Sequence, residues 1–85
     1  MKVEIEIAKY SDQGLDLEWE KAFEIKTENN QGTFVISANK AGLVSLAKHM
    51  LTLAQDGVPV GHYLHFDEFN CLEEDSVDLI IEKVQ

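Results

Sequence analysis

Hydrophobic and polar residues alternate strictly in two stretches near the N-terminus. In Lys2–Ala8, every second residue is apolar and glutamates occupy positions between them. Leu15–Thr27 continues the alternation with leucines and aromatic residues on its apolar side. A period of two residues is typical of half-buried strands. We therefore predict a strand over each stretch, with the turn at Ser11–Gly14 pairing them.

The polar sides of these two predicted strands are almost entirely carboxylates. If the strands pair, six of them share one face of the sheet: Glu4, Glu6, Asp16, Glu18, Glu20 and Glu24. Like charges that face each other across strands are destabilising, so this face carries a folding cost. A surface built at such a cost indicates a positively charged partner.

The middle of the chain predicts a strand followed by a helix. Thr33–Ala38 alternates with Phe34, Ile36 and Ala38 on one side, and a loop of about five residues joins it to the preceding strand. Apolar residues then recur at helical spacing, which predicts a well-covered helix from about residue 40 to 55. Asn39 is its expected N-cap, and Gly57 its expected left-handed terminator.

Two further strands complete the prediction. His62–Asp67 reads as a fourth strand, and Val77–Val84 as a fifth that suits a central position because Leu79–Ile81 is apolar on both faces. The predicted fold is α+β, with two layers in the order β-β-β-α-β-β. One long helix covers one face of a mostly antiparallel sheet of about five strands. The 85 residues make a single domain, residues 1–85.

Charge narrows the classes of partner. The net charge is −9, from 16 acidic and 7 basic residues, and arginine is absent. Nucleic acids and anionic membranes are poor partners for such a chain, because phosphate binding needs clustered Lys and Arg. Solubility alone is the competing explanation of the acidity.

Compartment and redox state follow from the same composition. The single Cys71 excludes an intramolecular disulfide, and the N-terminus lacks the apolar run of a signal peptide. The longest apolar-rich segment is too short to span a bilayer. We expect a soluble cytoplasmic protein.

Candidate chemistry is sparse. His65 and Asp67 share a strand face, a spacing that suits metal ligation or an oriented base. The sequence shows no third ligand at recognisable spacing, so we expect neither a metal nor another cofactor. Cys71 has acidic neighbours, which raise the pKa of a thiol, and no glycine-rich phosphate loop or nucleophile elbow is present. We predict no catalytic residue.

The second half of the chain carries a family resemblance. It rests on Ala38–Leu43, Leu46–His49 and Leu53-Ala54, then on Gly61–Glu68, and on Leu72-Glu73 with Ser76 and Leu79–Ile81. These segments resemble the immunity protein 32 family of bacterial polymorphic toxin systems. The resemblance implies a small cytoplasmic protein that neutralises a cognate toxin by contact, without chemistry of its own.

Three functional hypotheses from different classes remain. The first is an immunity protein whose acidic surface binds a basic surface of its toxin, since electrostatic complementarity speeds association. The second is an adaptor or regulatory domain that binds another host protein, and a weaker third is a metal- or ligand-binding domain using His65 and Asp67. An adjacent toxin gene would favour the first. The candidate contact residues are Glu4, Glu6, Asp16, Glu18, Glu20 and Glu24, together with His65, Asp67, Glu68, Glu73, Glu74 and Asp75.

Overall fold

A computed structural model describes residues 2, 4–11, 14–15 and 17–85. In this part of the chain there are four strands and one helix: β1 (Ile25–Asn30), β2 (Thr33–Ala38), α1 (Lys40–Leu53), β3 (Tyr63–Phe66) and β4 (Leu79–Glu82). The α+β class is confirmed. The single sheet of about five strands is wrong, because β1 pairs with β2 and β3 pairs with β4 in two separate antiparallel sheets.

The β1–β2 hairpin is tighter than its sequence predicts. Asn30 lies opposite Thr33, so the loop is the two residues Gln31 and Gly32 and not about five. Both have positive φ, 53° and 91°, as the central residues of a type I′ turn do. Glu28, Asn29 and Asn30 therefore belong to the strand.

The outer edge of β1 is held by a loop from the other end of the chain. The N–H of Glu73 donates to the carbonyl of Ile25 at 2.8 Å, and the N–H of Val77 donates to the carbonyl of Thr27 at 3.1 Å. The N–H of Thr27 donates to the Ser76 hydroxyl at 3.2 Å. Among the described residues, no backbone hydrogen bond reaches the outer edge of β2.

The predicted N-terminal strand is wrong for the described residues of Lys2–Ala8, which lie outside any strand; Val3 is outside the described residues. Exposure still alternates there, with the glutamates exposed and Ile5 and Ile7 half-buried. The segment docks through a side chain instead of a ladder: Gln55 Nε2 donates to the Ala8 carbonyl at 2.9 Å, and Gln55 Oε1 accepts from the Tyr10 N–H at 3.1 Å. The expected turn does close, with the Gly14 N–H donating to the Ser11 carbonyl.

Only the end of the second predicted strand, Leu15–Thr27, is a strand. The described residues between 15 and 24 are irregular, and side chains around α1 hold their backbone. The Ser45 hydroxyl accepts from the Glu20 N–H at 2.8 Å. Asn39 accepts from the Glu24 N–H at 3.0 Å and donates to the carbonyl of Ala22. Ala22 itself has a φ of 62°, which no regular strand adopts.

The helix begins as predicted and ends slightly earlier. The Asn39 side chain caps it by accepting from the Gly42 N–H at 2.8 Å. Its last helical residue is Leu53, followed by Ala54 as a right-handed C-cap. The prediction that Gly57 is the left-handed terminator is wrong, because Gly57 is not among the residues with positive φ.

The apolar spacing predicts a well-covered helix, but one side of α1 is exposed. It buries Gly42, Ser45, Leu46, His49, Thr52 and Leu53. Its outer face, defined here by Leu43, Met50, Leu51 and Ala54, is exposed. The helical spacing predicts both Leu46 and Met50 as core residues, but Met50 is 44% exposed, so that prediction is wrong for Met50.

The β3–β4 hairpin completes the core. Its ladder runs from Tyr63 opposite Glu82 to Phe66 opposite Leu79. Leu64, Phe66 and Leu79 turn inward, whereas Ile80 is 59% exposed, so the expected central position of the last strand is wrong. The buried core is Ile25, Leu46, Leu53, Val58, Leu64, Phe66, Leu72 and Leu79, with half-buried Trp19 and Phe23 against it. The alternation predicts Trp19 as a core residue, and it packs against this core as a half-buried one.

Candidate functional site

A twelve-residue acidic loop, residues 67–78, joins β3 to β4. It holds six carboxylates and neither Lys nor Arg. Five of these carboxylates are sequence candidates, and the structure brings them together on this loop. Asp67 is half-buried, while Glu68, Glu73, Glu74 and Asp75 are exposed.

The carboxylates of the acidic loop also order its backbone. Asp67 Oδ1 accepts from the N–H groups of Phe69 and Asn70, at 2.9 and 3.0 Å. Glu68 Oε2 accepts from the Asp75 N–H at 3.0 Å, where Asp75 has a φ of 68°. The bonds to Ile25 and Thr27 tie the far side of the loop to β1. These hydrogen bonds therefore hold the backbone of the acidic loop in a defined conformation.

Phe69 stands out from the acidic loop. Its side chain is 91% exposed, the highest value among the large hydrophobic residues of the described chain. Aromatic residues, phenylalanine included, are enriched in protein interfaces relative to the rest of the surface. Sequence reasoning missed Phe69, although an aromatic residue inside the polar run 67–76 was the available signal.

A histidine and two aspartates converge where the acidic loop joins the two strands. His65 Nε2 lies 3.0 Å from Asp78 Oδ2. Asp67 contributes a third potential ligand atom, and all three lie within 4.8 Å of one another. Asp78 was not a sequence candidate, because only the β3–β4 register shows that it lies beside His65.

The N-terminal carboxylates that the structure describes do not form the expected sheet face, because the described residues of their segments do not pair with each other as strands. Glu18 and Glu20 instead approach the Lys48 ammonium, at 3.8 and 3.6 Å. Glu6 and Glu18 line a small cavity together with Lys48. Glu4 and Glu24 are exposed elsewhere, and Asp16 lies outside the described residues.

His49 lies beneath this cluster on the buried side of α1. Its ring contacts Trp19 edge to face at 4.2 Å between centroids, and neither ring nitrogen has a hydrogen-bond partner among the described residues. Burial, reinforced by the neighbouring Lys48 charge, lowers the pKa of His49 from 6.5 to about 4. The ring is neutral at pH 7 and serves as an aromatic core residue.

Cys71 lacks the environment of a nucleophile, as its sequence neighbours predicted. Burial raises the pKa of its thiol to about 11, and the charge of Asp67 adds to the shift. The thiol is therefore protonated at neutral pH, whereas catalytic cysteines have lowered pKa values.

Comparison with known proteins identifies the family. A family model described as Immunity protein 32 matches residues 33–84, more than half of the chain. The chain belongs to the immunity protein 32 family. No curated protein and no solved structure gives a significant match.

The matched region of this family member runs from β2 to the C-terminal segment. It includes α1, both strands of the second sheet and the whole acidic loop, and it excludes the N-terminal carboxylates. Membership of an immunity protein family favours a non-enzymatic role. Within the described residues, no helix has the length and apolar character needed to cross a membrane.

Proposed function

We propose that this protein is an immunity protein that binds a cognate bacterial toxin and neutralises it by contact. The observation that carries the proposal is the family match over residues 33–84. The proposed partner is a toxin with a basic surface, and the proposed compartment is the cytoplasm of the cell that makes the toxin. The protein contributes binding and no catalysis.

Electrostatics supports the acidic loop as the contact surface. Its six carboxylates have no Lys or Arg within the loop, and among the described residues none of them lies in a salt bridge with a lysine. Glu18 and Glu20, in contrast, share the Lys48 ammonium. A field of one sign attracts an oppositely charged partner and speeds its association.

Phe69 can contribute binding energy that the exposed charges of the loop do not provide. Rim charges act mainly on the rate of association, whereas buried aromatic anchors carry much of the binding energy. An aromatic ring that is 91% exposed within a carboxylate-rich loop suits a basic surface with an apolar pocket. We propose that Glu68, Glu73, Glu74 and Asp75 steer the toxin and that Phe69 anchors it.

The test is neutralisation. A toxin domain encoded beside this gene is expressed under inducible control, with and without the 85-residue protein. The expected result is growth arrest by the toxin alone, rescue by co-expression, and a stable complex of the two purified proteins. Continued arrest with no complex would refute the proposal. Neighbouring genes for metabolic enzymes, together with binding to one of those enzymes, would support the adaptor hypothesis instead.

A further inference from the structure

Three potential metal ligands converge at the base of the acidic loop. His65 lies on β3, Asp67 follows that strand directly, and Asp78 directly precedes β4. Their ligand atoms all lie within 4.8 Å of one another. The sequence alone identifies His65 and Asp67 as potential ligands, and the pairing of β3 with β4 adds Asp78.

The strand register explains why the three side chains meet. Phe66 lies opposite Leu79 in the last pair of the ladder, and Asp67 directly follows Phe66 while Asp78 directly precedes Leu79, so both aspartates lie at the same end of the hairpin. His65 and Asp67 are two residues apart on a strand path and share a face. Like charges held close across a strand pair repel, and a cation between them removes that cost.

The distances suit adjacent ligands of one ion. Bonds of about 2.0–2.1 Å from zinc to imidazole nitrogen and carboxylate oxygen, in tetrahedral geometry, place neighbouring ligand atoms about 3.3 Å apart. His65 Nε2 and Asp78 Oδ2 are 3.0 Å apart. A hydrogen bond alone explains that pair, and Asp67 adds a third potential ligand atom within 4.8 Å of the other two.

Hydrogen bonds hold the Asp67 end of the cluster in place. The N–H of Asp67 donates to Asn70 Oδ1 at 2.8 Å, and Asn70 Nδ2 donates to the His65 carbonyl at 3.0 Å. Asp67 Oδ1 already accepts two backbone N–H groups, which leaves Oδ2 to act as a ligand. Such outer contacts orient the residues that bind a metal.

We infer that His65, Asp67 and Asp78 form a binding site for one divalent transition-metal ion of the zinc type. An imidazole among the ligands favours zinc over calcium or magnesium, which prefer oxygen ligands alone. Both His65 and Asp78 are partly exposed, at 42% and 65% of their side chains, so water completes the coordination. The site is independent of the proposed function, because the metal alone tests it.

The test is calorimetric titration of the untagged 85-residue protein with zinc chloride. The expected result is one ion per chain. Replacing a direct ligand should cost at least as much as losing an outer-shell partner, so His65→Ala and Asp78→Asn should each weaken binding by about tenfold or more. Calcium chloride in a parallel titration should bind more weakly than zinc.

A matched control separates a defined site from general attraction. Asp75→Asn removes the same charge from the same loop without touching the cluster, and its φ of 68° is one that asparagine tolerates. Binding should survive this change, and it should also survive His62→Ala, which removes an imidazole three residues before His65 and outside the cluster. The inference is overturned if wild-type protein binds no zinc, if Asp75→Asn weakens binding as much as Asp78→Asn, or if His65→Ala has no effect.

Discussion

At His49 the fold places an imidazole against the rings of Trp19 and Phe66, with centroids 4.2 and 6.1 Å away. The residue is completely buried, and Glu6, Glu18 and Lys48 line the small cavity beside it. Because its pKa is about 4 in the folded protein, the imidazole is a neutral core residue at pH 7. Its titration then links stability to pH.

We expect the free energy of unfolding to fall as the pH is lowered from 7 to 4. The unfolded state takes up the His49 proton near pH 6.5 and the folded state only near pH 4, so protonation favours unfolding between these values. The maximum loss is about 3 kcal/mol. Urea unfolding followed by Trp19 fluorescence at several pH values measures it. His49→Leu keeps the background from the carboxylates and should show a smaller loss, whereas equal losses in both proteins would contradict the assignment.

Phe69 gives a second prediction at this scale. Phe69→Ala should change the free energy of unfolding by less than about 0.5 kcal/mol, because the ring is 91% exposed. Toxin binding should weaken by about tenfold or more if the ring is an anchor. Phe34→Ala is the control, since it removes an exposed aromatic ring from β2, away from the acidic loop. Equal effects of the two variants on the dissociation constant would remove Phe69 from the interface.

Gly42 has no room for a side chain. A Cβ atom there would lie 2.5 Å from the carbonyl oxygen of Glu24 and 2.9 Å from the Ile25 side chain. Gly42→Ala should therefore destabilise the protein by about 1–3 kcal/mol, although alanine is the better helix former. Gly57→Ala is the control, since the nearest atom to its added Cβ lies at 3.9 Å, on Tyr10. Urea unfolding compares the two, and a stabilised Gly42→Ala would contradict the close contact.

At the scale of elements, α1 buries polar residues beside its leucines and exposes apolar residues on its other side. Its buried side includes Ser45 and Thr52, whose hydroxyls bond to the Glu20 N–H and the Lys48 carbonyl. Its outer face carries Leu43, Met50 and Leu51 instead. Helical spacing alone identifies the helix in such a case, but it does not identify the face that is buried.

This difference between the two sides of α1 predicts unequal costs for two similar truncations. Leu46 is 4% exposed and Met50 is 44% exposed. Leu46→Ala should cost about 2–5 kcal/mol, and Met50→Ala less than about 1 kcal/mol. Denaturant unfolding of the two variants measures both values on one helix. Equal costs would place Met50 in the core after all.

The strand predictions show what alternation does and does not specify. Thr33–Ala38 is predicted with its observed bounds, β3 and β4 lie inside longer predicted strands, and β1 overlaps only the end of one. The segment before Tyr10 alternates in exposure too, yet Gln55 satisfies its backbone where a ladder was expected. Alternation shows that a segment has one buried and one exposed face. Pairing also requires a partner strand, and the local pattern does not identify that partner.

The candidate site divides in the same way. Five carboxylates of the acidic loop are adjacent in sequence, so their proximity was predictable. Asp78 joins His65 only through the β3–β4 register, which no local pattern reveals. The N-terminal carboxylates were grouped by assumed strand pairing, and the structure does not pair those strands.

At the scale of the whole molecule, the net charge of −9 acts on every encounter. Exposed charges act through the solvent, and salt shortens their range to about 8 Å at physiological ionic strength. Two sets of carboxylates compete for the steering role. Glu73 and Glu74 belong to the acidic loop, while Glu18 and Glu20 lie beside Lys48.

Neutralising each pair tests which set steers the partner. Glu73→Gln with Glu74→Gln should slow toxin association, because it removes charge that no lysine offsets within the loop. Glu18→Gln with Glu20→Gln changes the net charge equally and should slow it less. Stopped-flow association rates at low and high salt compare the two, and the difference should shrink as salt rises. Association rates that are unaffected by salt and by both double substitutions would indicate that the acidity serves solubility alone.

One strand outside the family match holds the matched part together. β1 ends at Asn30, before the match begins at residue 33, yet Ile25 and Thr27 are completely buried. A fragment excised at the boundaries of the match would lose the partner of β2 and the backbone anchors of Glu73 and Val77. The recognisable sequence is therefore smaller than the folding unit. During divergence the exposed positions of β1 are free to drift, provided that a bulky apolar residue and a small hydroxyl continue to face inward.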